Sequence, residues 1–288
     1  MSKHHFVPQL ILRRFRSTSK EFFYFNIEKP DDLIVNRNTR SVFYQRGLNT
    51  LSNKSESREQ QFAARLETPF NQLLDQIEQV LFSKSVLDLS DDDRALIASF
   101  FYYQYRRRPS IVDELMSDPR RIELDQAEVD ALKFTSKALL SDDQNDRDYL
   151  HDLRAVLLVH MNPEVVKDII KTGVCFVRNS TDQPFIVGSR PICHVAFKAN
   201  DTLVRERYLV ERFVFPVSAR WSILIGPVEL DRRVLEITNN SEVRLINKKI
   251  ALQSTMIGGP RRSDIEVLAK AMLASERLGD GKESPAPK

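Results

Sequence analysis

The chain has little cysteine, little glycine and no long apolar run. Its two cysteines are too few for a disulfide framework, and both lie in apolar, strand-like surroundings. We therefore expect Cys175 and Cys193 to be buried free thiols rather than a disulfide or a metal-binding pair. No stretch approaches the roughly 18 apolar residues of a membrane span. Glycine occurs only eight times, and no P-loop, dinucleotide-binding turn or nucleophile elbow is present. Because no signal peptide is recognisable, we expect a cytoplasmic protein with no membrane association.

An excess of one charge is also missing. The formal net charge is +3, from 43 basic and 40 acidic residues, which excludes a protein coated in positive potential. Residues 1–50 are the exception, with nine Lys/Arg against four Asp/Glu. A basic N-terminal part is compatible with a phosphate-bearing substrate, and an ordinary solvated face is the alternative.

The residues that are present predict an α+β fold. No Gly/Ser/Pro-rich linker interrupts the chain, so we expect one compact domain over residues 1–279 and a disordered tail over residues 280–288. Helical periodicity dominates the middle of the chain, a small β layer is predicted near the N-terminus, and an antiparallel sheet is predicted after Gly173.

The main chemical motif is His4-His5-Phe6-Val7-Pro8, referred to below as the His motif. Successive side chains of an extended segment alternate between faces, so the two imidazoles cannot both serve one surface unless the backbone bends. Pro8 suits a helix start, and we expect a helix over residues 9–15. The His motif is therefore predicted to lie at a strand-to-helix junction.

Two helices carry further polar candidates. Glu59 and Glu67 are eight residues apart on a long amphipathic helix that Pro69 kinks or restarts, and a solvated helix face is the plain alternative. Gln104 lies in the apolar helix that follows Ser90, one turn before Arg107. A buried amide needs hydrogen-bond partners, which makes Gln104 conspicuous.

The strands of the predicted C-terminal sheet are assigned by their β-branched and aromatic content. They cover residues 174–178, 184–187, 192–198, 213–217 and 221–225, and shorter strands are predicted nearer the N-terminus over residues 22–27, 33–35 and 40–44. A helix over residues 241–256 carries Asn247 and is predicted to stop before Gly258-Gly259-Pro260.

The order of these motifs resembles a bacterial family of unknown function whose members begin with His-His-Tyr-Val-Pro. The resemblance continues with spaced glutamates at Glu59 and Glu67, with Gln104, Arg107 and Pro109 as Gln-x-x-Arg-x-Pro, with Phe215-Pro216-Val217-Ser218, and with Asn247. It spans about residues 3–259. One position departs from the family pattern: Ser189 stands where Ser-Asp-Asn-Pro would place the aspartate. If that aspartate served a metal or general-base site, this chain has lost the site or works differently.

Two classes of function remain open. The His motif also resembles the His motif of HNH-type nucleases, which would make His4 a metal ligand and His5 the general base of a metal-dependent nuclease or phosphodiesterase using Mg²⁺ or Mn²⁺. Glu59 and Glu67 would add oxygen ligands, with Arg107 and Gln104 completing the catalytic set. No histidine lies between His5 and His151, so such a site would be assembled from distant segments.

The alternative is a non-catalytic binding or regulatory protein, a partner in a bacterial defence or mobile-element system. The same polar side chains would then satisfy one another in a buried structural network. Nucleic acid and protein are both candidate partners, and the oligomeric state is not predicted.

Overall fold

The computed structural model describes residues 3–30, 34–46, 48, 63–107, 162–201, 207–226 and 228–280. The chain divides into two compact units. The first unit comprises Met1–Phe6, Tyr44–Gln76 and Leu89–Lys171, and the second comprises Val7–Phe43, Ile77–Asp88 and Thr172–Lys288. The single domain expected over residues 1–279 stays a prediction, and the tail expected after it lies, except for Asp280, outside the described residues.

The first unit begins with a two-stranded antiparallel sheet. Strand β1 (Lys3–His5) pairs with β4 (Tyr44–Arg46), and His4 is opposite Gln45 while His5 is opposite Tyr44. A π-helical turn, Ala63–Glu67, then leads into helix α2 (Thr68–Leu81). Pro69 thus follows the first residue of a new helix, as its missing N–H donor favours.

Helix α3 (Asp91–Arg106) forms the core of the first unit. Ser90 begins it with a capping box, in which the Ser90 hydroxyl accepts from the Asp93 N–H and the Asp93 carboxylate accepts from the Ser90 N–H. The predicted helix start is therefore confirmed. The rings of Phe70 and Phe100 stack with centroids 3.7 Å apart. Helix α4 (Pro163–Thr172) ends at the boundary of this unit.

A five-stranded sheet that closes on itself is the core of the second unit. Its strands are β5 (Val174–Asn179), β7 (Cys193–Asp201), β8 (Arg207–Pro216), β9 (Trp221–Ile225) and β10 (Val234–Ile237), in the order β10-β5-β9-β8-β7. The closing pair β10 and β7 is antiparallel, whereas β10 and β5 are parallel. The predicted α+β class and C-terminal sheet are confirmed, and the parallel pair makes the sheet mixed.

A second sheet combines strands from both ends of the chain. Its order is β3 (Val35–Asn36), β2 (Phe23–Asn26), β11 (Met256–Gly259), β6 (Val187–Gly188). The remaining helices of this unit are α1 (Gln9–Arg13), α5 (Asn240–Leu252) and α6 (Arg262–Asp280).

Three local predictions are corrected here. The helix expected over residues 241–256 ends at Leu252, because residues 256–259 form strand β11. The strand expected over residues 184–187 contributes only its end, and that end pairs with β11 rather than with the closed sheet. The strand expected over residues 40–44 is instead a 3₁₀ turn, Thr39–Ser41, followed by the start of β4.

Gly258 is required by the close packing of this second sheet. A Cβ atom built on it would lie 2.3 Å from the Phe22 Cζ, so the ring occupies the space that any side chain at this position would need. In the described part of the chain, no helix is long and apolar enough to cross a membrane.

Candidate functional site

The two histidines of the His motif lie on opposite faces of β1. Lys3 is exposed, His4 is buried with 1% of its surface accessible, and His5 is half-buried. This alternation is what a regular strand imposes on successive side chains. His5 therefore shares a face of β1 with Lys3, and His4 lies on the other face. No single surface of this strand contains both histidines.

Tyr44 lies between Lys3 and His5 on the more accessible face. The Lys3 Nζ is 4.5 Å from the centre of the Tyr44 ring, and the His5 ring centre is 5.8 Å from it. We call these three residues the Tyr44 face. A cation, an imidazole and an aromatic ring beside one another form a surface suited to a phosphate and a base. Sequence reasoning missed Tyr44, because its register opposite His5 depends on long-range strand pairing.

Gln104 connects α3 to the His motif. Its side chain is fully buried, and its Nε2 donates a 2.8 Å hydrogen bond to the main-chain carbonyl of Phe6, 98 residues away in the chain. Its Oε1 is also buried and has no hydrogen-bond partner among the described residues. A buried acceptor without a partner is costly, so this oxygen offsets part of the benefit of the Gln104 hydrogen bond.

Arg107 and Glu67 form an ion pair in the same unit. Arg107 Nη1 donates to Glu67 Oε1, and the two side chains are 1% and 18% exposed. The guanidinium also lies 5.1 Å from the centre of the Tyr103 ring. Glu67 is the last residue of the π-helical turn, a geometry that often occurs at functional sites. Neither the π-helical turn nor the pairing of Glu67 with Arg107 is predicted from the sequence.

The adjacent Arg106 is buried as well. Its Nη1 donates a 2.8 Å hydrogen bond to the Tyr102 hydroxyl, and the guanidinium is 5.3 Å from the Tyr102 ring centre. In the sequence, the helix macrodipole alone accounts for the basic end of α3. The macrodipole does not explain why Arg106 and Arg107 are both buried, because a cation can interact with the end of a helix while it remains exposed.

The predicted metal ligands are placed only in part. His4 and Glu67 both belong to the first unit, whereas Glu59 and Pro109 lie outside the described residues. Among the residues that the structure describes, no group of three or more His, Cys, Asp and Glu side chains is arranged to hold a metal ion. The ligand set of His4, Glu59 and Glu67, and the use of Mg²⁺ or Mn²⁺, stay predictions.

Ser189 has a structural role in the second unit. Its hydroxyl accepts a 3.0 Å hydrogen bond from the Thr255 N–H, and the Met256 N–H lies 3.4 Å away. These contacts connect the end of β6 to the start of β11. A carboxylate at this position would accept the same hydrogen bonds. Ser189 thus accepts local main-chain hydrogen bonds at the position where the family pattern has aspartate.

Asn247 is a second buried connection in this unit. Its Nδ2 donates to the Pro184 carbonyl at 2.9 Å, and its Oδ1 accepts from the Ile186 N–H at 3.1 Å. One helical side chain thus hydrogen-bonds two main-chain groups of the segment before β6. This position of the resemblance is structural as well.

Both cysteines are free and buried, as expected. Burial raises the pKa of the Cys193 thiol to about 12, against a smaller opposing effect of Lys249. Burial raises the pKa of the Cys175 thiol well above its usual range, and the charge of Asp231 acts in the same direction. Neither thiol is a nucleophile near neutral pH, because the thiolate is the reactive form.

The fold and the site define an α+β protein in which Gln104 hydrogen-bonds the main chain of the His motif at Phe6. The chain belongs to the family described as "Protein of unknown function (DUF4238)", whose model matches residues 3–257. No curated protein and no solved structure matches the chain.

Proposed function

We propose that this protein is a metal-dependent nuclease or phosphodiesterase whose reacting face is the Tyr44 face. The observation that carries the proposal is the hydrogen bond from Gln104 to the carbonyl of Phe6. It joins two motifs that are distant in the chain and brings a fully buried amide directly behind the His motif. A site assembled from distant segments is what a nuclease function of this chain requires.

His5 is the general base in this proposal. It is half-buried, it lies on the same side of β1 as Lys3, and Tyr44 packs against both. A neutral imidazole would take a proton from water, and the resulting hydroxide would attack phosphorus. The bond from phosphorus to the leaving oxygen would break, and that oxygen would take a proton from solvent. Lys3 would contact a non-bridging phosphate oxygen, and the Tyr44 ring would stack against a base.

Gln104 and Arg107 are positioning residues in this scheme. Both side chains are fully buried, and each already bonds protein groups, Phe6 in one case and Glu67 in the other. Gln104 holds the main chain at Phe6, directly after β1, and Arg107, at the end of α3, holds the π-helical turn. A divalent ion, when bound, would stabilise the charge that develops on the phosphate. Of its predicted ligands His4, Glu59 and Glu67, His4 lies on the opposite face of β1 from His5, which leaves Glu59 and Glu67 to hold an ion at the Tyr44 face.

The test is a cleavage assay on single- and double-stranded DNA and RNA with Mg²⁺ or Mn²⁺, paired with metal analysis. We expect metal-dependent cleavage by the wild-type chain and a loss of about 10²-fold or more in His5→Ala. The matched control is His194→Ala, because His194 is an exposed strand histidine of the other unit. It should leave cleavage unchanged.

Cleavage and metal content of the wild-type protein are the first test of the proposal. Absence of cleavage with every substrate and both ions, together with absence of bound metal, would overturn it. Equal cleavage by wild type and His5→Ala would move the site away from the Tyr44 face. Thermal melting of each variant separates a loss of chemistry from a loss of folding.

The burial of Gln104 and Arg107 favours a second candidate, a non-catalytic binding or regulatory protein. A buried polar network fixes packing without any chemistry. Under this candidate, neither the wild type nor His5→Ala would cleave nucleic acid. His5→Ala would only weaken the binding of a partner to the Tyr44 face. Nucleic-acid binding without cleavage, weakened by His5→Ala and by added salt, would support it.

A further inference from the structure

Helix α1 and the turn after it lie beside the segment of residues 36–41 in the second unit. At one end, the Gln9 Nε2 donates to the Thr39 carbonyl at 2.5 Å, and the Thr39 hydroxyl donates to the Gln9 Oε1 at 3.2 Å. At the other end, the Arg37 N–H donates to the Phe22 carbonyl at 2.9 Å. Hydrogen bonds therefore hold the two segments together at both ends.

Unpaired cations predominate on these two segments, residues 9–22 and 36–41, which we call the basic surface. Its only acidic residue is Glu21, whose carboxylate accepts from the Ser19 hydroxyl at 2.9 Å. One of its six basic residues, Arg14, is paired with Glu78. The other five are exposed, and none of them forms an ion pair with a residue that the structure describes: Arg13, Arg16, Lys20, Arg37 and Arg40. Positive charge that no carboxylate neutralises attracts an anion to this surface.

The length of the basic surface indicates the size of that anion. The six residues of the segment 36–41 span at most about 20 Å. On the other segment, the Ser17 N–H donates to the Glu21 carbonyl at 2.9 Å, so the turn after α1 doubles back and ends beside Phe22. The five cations thus lie along a strip about 20 Å long, which exceeds the reach of one phosphate group and equals about six base pairs of a duplex.

No apolar side chain is exposed on the basic surface. Its two aromatic residues, Phe15 and Phe22, are 0% exposed, Ile11 and Leu12 are buried as well, and Leu10 is half-buried. A helix that lies on a membrane inserts apolar side chains, and a protein interface has an apolar or aromatic centre. Proteins that hold single strands stack aromatic rings on the bases. The basic surface has none of these features, which favours a duplex whose bases stay stacked.

We propose that the basic surface binds the phosphate backbone of a double-stranded nucleic acid without reading its sequence. The exposed cations contact phosphate oxygens, and such contacts carry no base information. Binding at the basic surface needs no cleavage at the Tyr44 face, so it does not rest on the proposed nuclease function.

The test is fluorescence anisotropy of the full chain with labelled duplexes of about 20 base pairs, in EDTA so that binding is measured without metal-dependent cleavage. The probes are two DNA duplexes of unrelated sequence and one RNA duplex, which separate the two kinds of phosphate backbone. We expect the two DNA duplexes to bind equally. The logarithm of the affinity should fall with the logarithm of the salt concentration with a slope of about −3 to −4.5, as three to five phosphate contacts predict.

Paired substitutions locate the contacts. Arg37→Ala with Arg40→Ala should weaken duplex binding about tenfold or more and should make the salt slope shallower by about two. Arg37→Lys with Arg40→Lys keeps both charges and should stay within about threefold of the wild type. The matched control is Lys248→Ala with Lys249→Ala, which removes two exposed cations from α5 of the same unit and should leave the affinity within about twofold.

Four outcomes would overturn the proposal. They are absence of duplex binding up to ~10 μM at low salt, equal losses in the two alanine pairs, tighter binding of the single strand than of the duplex, and displacement of the duplex by phosphatidylserine vesicles at lower phosphate concentration than by unlabelled duplex. Melting temperatures separate lost charge from lost folding. If the alanine pair at Arg37 and Arg40 folds poorly, Arg13→Ala with Lys20→Ala carries the same expectation.

Discussion

The side-chain amide of Gln104 donates a 2.8 Å hydrogen bond to the main-chain carbonyl of Phe6. Both residues are buried. Phe6 belongs to the His motif, and Gln104 belongs to the Gln-x-x-Arg motif. The contact explains why an amide follows the apolar stretch Leu96–Tyr103 of α3. It gives a buried carbonyl of the His motif a hydrogen-bond donor, which a main-chain acceptor away from water needs.

Gln104→Leu should therefore reduce the free energy of unfolding. The substitution keeps the size of the side chain but leaves the buried Phe6 carbonyl without this donor, which typically costs about 1–3 kcal/mol. It also removes the unpartnered Oε1, which offsets part of that cost. Urea denaturation of wild type and variant measures the difference. Gln79→Leu, at an exposed position of α2, is the control and should change stability by no more than about 0.5 kcal/mol. A loss of equal size in both variants would assign the effect to the leucine and not to the hydrogen bond.

Glu67→Gln should destabilise the chain more than the loss of a surface ion pair does. It removes the negative partner of a guanidinium that is 1% exposed, and breaking a buried pair from one side costs about 3–5 kcal/mol, less here because Glu67 is 18% exposed. Glu164→Gln is the comparison, because the Glu164–Lys167 pair is 63% and 60% exposed and exposed pairs contribute roughly 0–1 kcal/mol.

A double-mutant cycle with Arg107→Met identifies the cause. If the pair is the source of the loss, Glu67→Gln should cost much less in the Arg107→Met background, with a coupling energy of about 1 kcal/mol or more. Additive losses would show that the two side chains act through different neighbours.

Local patterns in the sequence predicted much of the fold. Ser90 marks the start of α3, and the alternation of Lys3, His4 and His5 follows from an extended backbone. These features depend on neighbours within four residues. They required no knowledge of the tertiary structure.

Long-range pairing was not predictable in the same way. Strand β11 ends in two glycines, which in the sequence indicate the end of a helix. That this segment is a strand depends on its partners β2 and β6, which are distant in sequence and leave no local signal of their registers. The partners of Gln104 and Glu67 are hidden for the same reason. Sequence reasoning selected both residues as polar groups that need partners, but only the fold identifies Phe6 and Arg107.

Asn247→Asp should make stability depend on pH. The carboxylate can still accept from the Ile186 N–H, but it would also face the Pro184 carbonyl, to which Asn247 donates. The folded state therefore favours the protonated acid and raises its pKa above the usual value of about 3.9. The cost of the substitution should be small below that pH and should grow as pH rises above it. Unfolding free energies of wild type and variant at pH 4 and pH 7 measure this, and a pH-independent difference would contradict the assignment of the amide donor.

Ser189→Ala and Ser189→Asp should differ in sign or size. Alanine leaves the Thr255 N–H without the hydroxyl acceptor, at a cost of about 1–3 kcal/mol. Aspartate keeps an acceptor and should retain more of the wild-type stability, in line with a structural origin of the family's aspartate. Thermal melting of the two variants decides this. A larger loss with aspartate than with alanine would mean that the position cannot accommodate a carboxylate.

The two buried thiols should reduce stability at alkaline pH. Burial raises the pKa of Cys193 to about 12 and that of Cys175 further, whereas an unfolded thiol ionises near pH 8.5–9. Below the pKa of the unfolded thiols, the free energy of unfolding does not depend on their titration. Above that pKa it falls, because only the unfolded state releases the protons. The free energy of unfolding then decreases by about 1.4 kcal/mol per pH unit for each thiol. Denaturant unfolding between pH 7 and pH 10 should show the decline. Replacing both cysteines by alanine lowers stability at pH 7 through lost packing but should flatten the decline. An unchanged slope in that variant would assign the alkaline loss to lysine and tyrosine titration instead.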